Sequence, residues 1–583
     1  MTYRNSLLAI TIATALTACG GGDSAPPAVE EAPAPTVPAP APTPAPTASP
    51  TVTQGVITGF GSVYVNGKRY VSDSASFTIA GQSGAQESGL KMGMVVKVKA
   101  TEGEEGQDPE ASEIEYEETL QGIVSLIDYG NARLTILGQA VYFDDLTEFE
   151  NVDPAQLSIG DMVEISGYVT ESGFYATYVE LEAEEDEIKL AGSVSALNTE
   201  AQTFSLGQLT VNYSEASFDD MLAGDLRDGL VVKVKGSVYD IQTQTLTAIE
   251  VENKEPDVEN DFDDVDEVEI AGVVTSYDSA AGTFKVNRYN FVLNDETEFE
   301  EGALENFAGN LWVKVEGSRD GDTFVAEQIE FKERKNNGKS EGQVTAVDGE
   351  AETFVINGIT FTANADTQYE DESEQNERRF TFDDIVVNDI LKVASRELPD
   401  STVLALKVKR IDEDDREGEV KGVVKALTLE GMTVAGVAVL FDENTEFETD
   451  EGDITAEQFL TLAEGNTALI VEVEGEYGEL GLIATEVEVR TNRDNDDQDE
   501  DDGKADKVEL EGLIEAINGE SVIVAGYELR FDQESELEFN DDAVSLETFL
   551  SSIAVGDALE FTGLWVEDTY IRVLEAEAET AAE

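Results

Sequence analysis

Gly160-Asp161-Met162-Val163-Glu164-Ile165-Ser166-Gly167 reads as a turn, then a strand with Val163 and Ile165 on one face, then a closing glycine. A period of two marks a half-buried strand, and a glycine at its end suggests a bulge or corner where a small barrel bends. The phrase returns at Gly229 to Gly236, Gly309 to Gly317, Gly465 to Gly475 and Gly556 to Gly563. A pattern that recurs this often decides the fold before any single segment does.

Reading outward completes the unit. Downstream lies a fifth strand, as in Ala176-Thr177-Tyr178-Val179-Glu180. Upstream is a variable stretch with room for a helical turn, such as Asp153 to Leu157 or Ala456 to Leu460. Before that stands a Thr-x-aromatic signature at Thr147-Glu148-Phe149, Thr297-Glu298-Phe299, Thr367-Gln368-Tyr369 and Thr445-Glu446-Phe447. The aromatic is expected to plug one end of the core and the threonine to sit at a strand margin. Earlier still are two short alternating runs around a glycine or polar turn, as in Leu134 to Gly138 followed by Val141 to Asp144, which is a hairpin signal. Each unit opens on a strand holding Gly55, Gly122, Gly192, Gly272, Gly342, Gly422 or Gly512. Successive subtraction gives spacings of 67, 70, 80, 70, 80 and 90 residues, regular units with loop insertions.

The expected fold class is therefore all-β: about seven tandem five-stranded β-barrels, OB-like or alternatively SH3-like, following a disordered proline-rich N-terminal linker. The boundaries read as a signal peptide over 1–18, anchor and linker over 19–52, then repeats over 53–118, 119–188, 189–267, 268–338, 339–418, 419–508 and 509–583. The third and sixth repeats each end in an acidic linker. Two copies depart from the pattern. In the fifth, Asn388-Asp389 replaces the turn glycine and Ser395 the closing one; the seventh has Ser535-Glu536-Leu537 in place of Thr-x-aromatic. Units this small bury only about 60% of their unfolded surface, so neighbours are expected to support one another.

The opening Gly55-Val56-Ile57-Thr58-Gly59-Phe60-Gly61-Ser62-Val63-Tyr64-Val65-Asn66-Gly67 resembles the start of a bacterial family, domain of unknown function 5666 (DUF5666). The recurrent Gly-Asp-x-Val-x-Val-x-Gly is similar to that family's core. The resemblance covers nearly everything from Thr51 onward. It implies a secreted or lipid-anchored bacterial protein and brings no established activity or site residues.

The N-terminus reads as an export signal. Arg4 precedes a short apolar stretch, Leu7 to Leu16, too short to span a bilayer comfortably. It ends in Leu16-Thr17-Ala18-Cys19, which resembles the lipobox, and Cys19 is the chain's single cysteine. The expected mature protein starts at a diacylated Cys19 and partners the membrane through its acyl chains alone. Asp23 is the fifth mature residue and not the second, where lipoproteins of this kind carry inner-membrane retention signals. Outer-membrane delivery is the expectation, facing either the periplasm or the exterior. Ten of the 14 prolines lie between Ala25 and Pro50, a composition favouring an extended, semi-rigid spacer.

Charge limits the partners. With 36 basic against 125 acidic residues the chain carries a formal −89, which disfavours phosphate backbones, so no nucleic-acid partner is expected. There is no histidine, which removes the usual base near neutral pH and the commonest transition-metal ligand. The lone cysteine rules out an intrachain disulfide. Asp161 and Asp557, after turn glycines, read as acceptors for backbone N–H groups and not as catalytic acids. The run from Asp494 to Gly503 offers hard oxygen ligands, with Asp496, Asp499 and Asp501 as calcium candidates. Its spacing fits an EF-hand loop poorly, since Gln498 and Glu500 fall at ligand positions. This run and the acidic hinges at Asp257 to Asp266 and Asp412 to Asp415 read as solvated charge. No cofactor or enzymatic activity is expected.

The leading expectation for function is a non-enzymatic array of barrels, structural or interacting, with an envelope protein or polysaccharide as partner. The alternative is carbohydrate or small-ligand binding on barrel faces, with Tyr129, Tyr142, Tyr277 and Tyr289 as stacking candidates.

Overall fold

A computed structural model describes residues 50–579 except 104–106, 171, 183–186, 242, 256–261, 263–264, 322, 335, 417, 443, 450–451, 467–468, 479–480, 491–506, 520, 533–534, 541 and 567–568. Leu16, Thr17, Ala18 and Cys19, like the calcium candidates Asp496, Asp499 and Asp501, lie outside the described residues.

The second unit shows how alternation becomes a barrel. Its strands are Leu120–Asp128, Arg133–Ile136, a third in two pieces (Gln139–Tyr142 and Glu148–Glu150), Met162–Thr170 and Gly173–Glu182. The first strand pairs antiparallel with the second and the second with the third. Both pieces of the third run parallel to the fifth. The fifth returns antiparallel to the fourth, and the fourth closes on the first. The order is 1-2-3-5-4-1, and all seven units repeat it, so the chain is seven tandem five-stranded barrels, numbered here 1 to 7.

The recurrent residues hold this frame. Thr147 accepts the N–H of Asp144 (3.1 Å) and donates to the Ala176 carbonyl (2.8 Å), tying the loop to the fifth strand. Thr297, Thr367 and Thr445 make the same 2.8 Å bond to Ala326, Ala405 and Ala484. Ser535 does so to Val573, so barrel 7 keeps the clamp with a different hydroxyl. The turn aspartates Asp161 and Asp557 accept the N–H of Ser158 (2.9 Å) and Ala554 (2.7 Å), as expected. In barrel 5 Asp389 accepts from Val386, while Asn388 takes the left-handed φ of +83° that glycine holds elsewhere. Each fourth strand carries a bulge at the expected corner. A Cβ at Gly167 would lie 2.0 Å from the Tyr175 carbonyl oxygen, yet Ala100 and Ser395 occupy the same corner in barrels 1 and 5.

Between third and fourth strands a short helix caps the core. It is a 3₁₀ turn in barrels 1 to 5 and an α-helix at Ala456–Gly465 and Leu546–Ser552, which bury Phe459 and Phe549. In the hinge between barrels 3 and 4 Asp266 is exposed, while an aromatic among the acids turns inward. Phe262 is fully buried in barrel 4, edge-on to Tyr289 and Phe324, and its carbonyl accepts from Arg319 (2.9 Å). One aromatic in a polyanionic stretch is enough to plug a barrel. At the shorter hinge, Asp412 accepts the N–H of Glu374 (2.7 Å).

The barrels are also joined to one another. A first strand lends one half to the fourth strand and the other to the second, which leaves unpaired backbone edge along each half, and edges attract edges. Barrel 1 pairs Thr51–Gln54 with Glu267–Ile270 of barrel 4; barrel 2 meets barrel 3 at Gln121 and Lys189; barrel 5 meets barrel 6 at Lys339 and Lys421. That makes three pairs. The seventh barrel lays Leu510–Gly512 along Leu126–Asp128 of barrel 2.

Side chains complete the seams. Lys407 of barrel 5 and Glu148 of barrel 2, both 4% exposed, pair at 2.8 Å. Lys233 of barrel 3 reaches Glu117 and Glu118 at 3.0 Å each. Arg378 of barrel 5 donates to the Glu87 and Leu90 carbonyls of barrel 1 while lying 3.7 Å over Phe60. The expectation of mutual support is met through edges and buried ion pairs, and between barrels distant in sequence.

Candidate functional site

The two outer faces of a barrel differ in chemistry. Where fourth and fifth strands meet, charged residues face each other in register: Lys97 and Glu115, Lys235 and Glu250, Lys314 and Glu330, Glu474 and Glu486, Glu560 and Glu577. In barrels 3 and 5 the hairpin of second and third strands is quieter. Its outward residues are Thr203, Ser205, Thr210 and Asn212 in barrel 3, and Thr353, Val355, Thr360 and Thr362 in barrel 5. Hairpin interiors are apolar, as with Phe204, Leu206, Leu209 and Val211. Alternation therefore leaves only the outer positions free to carry chemistry.

One hairpin face floors a cleft of about 770 Å³. Arg133, Thr135 and Ala140 of barrel 2 form the floor; Gln208, Ile241, Thr243 and Gln244 of barrel 3 form one wall; Glu515, Tyr527 and Val555 of barrel 7 form the other. The edge pairing of barrel 2 with barrels 3 and 7 sets the walls, so no isolated barrel has this site. Gln139 of barrel 2 donates to the Leu206 carbonyl (3.0 Å), holding barrel 3's turn in place. Gly138 lets that turn close up: a Cβ there would stand 3.1 Å from the Gln244 amide oxygen, at a φ of +72°.

The two charged side chains of the cleft each have a neighbour. Arg133 donates to Asp128 (2.8 Å), and that carboxylate also accepts from the backbone and side chain of Asn131. Burial opposes the Arg133 charge, but the Asp128 carboxylate and the Tyr527 hydroxyl outweigh it and raise its pKa. Glu515 accepts the N–H of Gly526 (3.3 Å). Beside them the lining carries hydroxyls and amides, apolar Ile241, Leu513 and Val555, and the Tyr527 ring, which stands edge-on to Trp565 at 5.7 Å.

The stacking tyrosines named from sequence are not brought together. Tyr289 is 1% exposed in barrel 4's core, and Tyr277 packs against Phe307 at 4.9 Å. Tyr129 lies against barrel 2's core with its hydroxyl 3.5 Å from Glu511. Tyr142 is outward, opposite Arg133 in the hairpin register. Sequence reasoning passed over Thr135, Thr243, Gln208 and Gln244. Their one signal is local neutrality: uncharged polar residues at outward hairpin positions or turns of a chain that is 28% charged. Among the described acidic residues, Asp219, Asp220 and Glu252 lie close enough for their oxygens to share an ion.

The family model for a domain of unknown function (DUF5666) matches residues 51–115, 121–180, 191–252, 271–330, 341–409, 421–488 and 511–571. No curated protein matches the chain. Among solved structures, one described as drosophila Unr CSD456 is similar over 37% of this chain and 98% of its own, with 13% identity and a TM-score of 0.11.

Proposed function

From a chain that belongs to the DUF5666 family and carries that domain seven times, we propose a non-enzymatic, lipid-anchored protein of the bacterial cell envelope whose barrels act together as one binding body. The carrying observation is what the recurrent polar residues do: the turn aspartates and clamp hydroxyls bond to backbone groups of their own barrel, so the repeats share a framework and no common chemistry. The order 1-2-3-5-4-1, with a helix between third and fourth strands, matches an OB-class barrel, a ligand-carrying scaffold. Anchoring rests on Leu16-Thr17-Ala18-Cys19, and the outer membrane is the proposed destination.

Two measurements test this reading. Cells fed labelled palmitate should label the wild-type chain and leave Cys19→Ser unlabelled and released from the membrane fraction; equal labelling of both sinks the anchor. For the single body, Thr51→Cys with Glu267→Cys sets a pair in register across the seam of barrels 1 and 4, in a chain whose other cysteine is Cys19. Neighbouring strands bring their Cα atoms into disulfide range, so mild oxidation should cross-link them within one chain. Independent barrels would leave them reduced or link separate chains.

A further inference from the structure

We propose that the cleft among barrels 2, 3 and 7 binds a neutral oligosaccharide. The inference rests on the barrels forming one body, because the cleft's walls come from different barrels.

Three observations carry it. The first is size: about 770 Å³ falls within the range of roughly 300–1,000 Å³ typical of small-ligand sites. The second is the donor set. Thr135, Thr243, Gln208 and Gln244 each present both a hydrogen-bond donor and an acceptor, which suits a sugar hydroxyl that must also do both. Tyr527 adds an aromatic surface for the C–H face of a pyranose ring. The third is charge. Asp128 offsets the Arg133 charge and Glu515 keeps its own, so the cleft holds no free cation with which to select an anion. In the field of a chain at −89 an anionic ligand is repelled. A cation is drawn instead to faces where carboxylate meets carboxylate, such as Glu560 and Glu577. An uncharged, hydroxyl-rich chain is the ligand that loses least by entering.

The test uses the full-length, detergent-solubilised protein in calorimetric titrations with malto-, cello-, manno- and xylohexaose, beside a Ser/Gly/Thr hexapeptide. At least one hexaose should bind saturably and the peptide should not. Two variants place the site. Thr243→Ala with Gln244→Asn removes hydroxyl and amide reach, and asparagine tolerates the left-handed φ of +47° at that turn. Ala140→Trp fills the floor from outside barrel 2's core. Each should weaken binding about tenfold or more, that is about 1.4 kcal/mol, at an unchanged melting temperature. Binding by no hexaose, binding by the peptide alone, or binding untouched in both variants overturns the proposal. If a Gln121→Cys/Lys189→Cys link, in register across the seam of barrels 2 and 3, forms while no sugar binds, the ligand class alone is wrong; if that link fails, the wall of the cleft fails with it.

Discussion

In barrel 3 the fourth strand sets Lys233 and Lys235 against Glu252 and Glu250 of the fifth; in barrel 7 the corresponding positions set Glu560 against Glu577 and Thr562 against Glu575. The backbones are alike and the surroundings are not. Barrel 3's face is taken up in a seam, where Lys233 is 4% exposed and bonds to Glu117 and Glu118. Glu560 is exposed to water. An exposed carboxylate stays solvated beside its like at modest cost, whereas a buried one without a partner costs several kcal/mol. The difference teaches that a carboxylate drawn into a seam comes with a basic partner, as Glu118 does with Lys233, while one facing solvent can stand beside its like.

The seam side of this comparison breaks most severely at Lys407. Lys407→Met leaves Glu148 buried against barrel 5 without its 2.8 Å partner, and should cost about 3–5 kcal/mol by denaturant titration. A loss under about 1 kcal/mol would mean that Lys409, 3.8 Å from Glu148, takes over the pairing or that the seam opens and hydrates the acid. Next in size is the clamp within a barrel. Thr147→Val removes a buried hydroxyl bonded to both Ala176 and Asp144 and should cost about 1–3 kcal/mol, with Ser535→Ala, whose hydroxyl is half-buried, costing less. Equal losses at the two sites would show that burial does not set the strength of the clamp.

The smallest effect separates the two kinds of face by pH. Burial would raise Glu117, but the ammonium groups of Lys233 and Lys254 outweigh it and hold the carboxyl at about 2, against an ordinary 4.5. Its contribution is complete above pH 4.5 and disappears as pH falls towards 2. Glu560 is raised by the desolvation its crowded neighbours impose and by the charges of Glu509, Glu577 and Glu575. Its repulsion is felt at neutral pH and relieved as pH falls through its raised value. Stability should therefore rise from neutral into mildly acidic conditions and fall below about pH 4.5. Glu560→Lys, which gives barrel 7 the pairing of barrel 3, should flatten the rise and add up to about 1 kcal/mol at neutral pH. Thermal melts across pH check both, and a rise of equal size in the variant would locate the repulsion elsewhere.

Much of each barrel was legible in the residue pattern. The period-two runs, the glycine corner at Gly167 and the turn carboxylates of Asp161 and Asp557 are local devices, and local spacing reveals them. Substitutions that keep a physical role under another residue type were harder to read. Asn388 supplies a left-handed turn without glycine, and Ser535 supplies the clamp without threonine. Phe262 was hidden by composition, since a charged neighbourhood conceals one buried ring. The cleft was not legible: Thr135, Gln244 and Tyr527 lie in three barrels, hundreds of residues apart at the extreme, and none is unusual where it stands.

Alternation, corners and turns along the chain determined that there would be seven five-stranded barrels, because each barrel closes through contacts within its own stretch of about 60 to 70 residues. Which barrel meets which was decided only in three dimensions. Every first strand offers a neighbour the same row of N–H and C=O groups, and backbone groups carry no address. The choice falls to side chains beside those edges, such as Lys407 finding Glu148 and Lys233 finding Glu118, whose partners lie far along the chain.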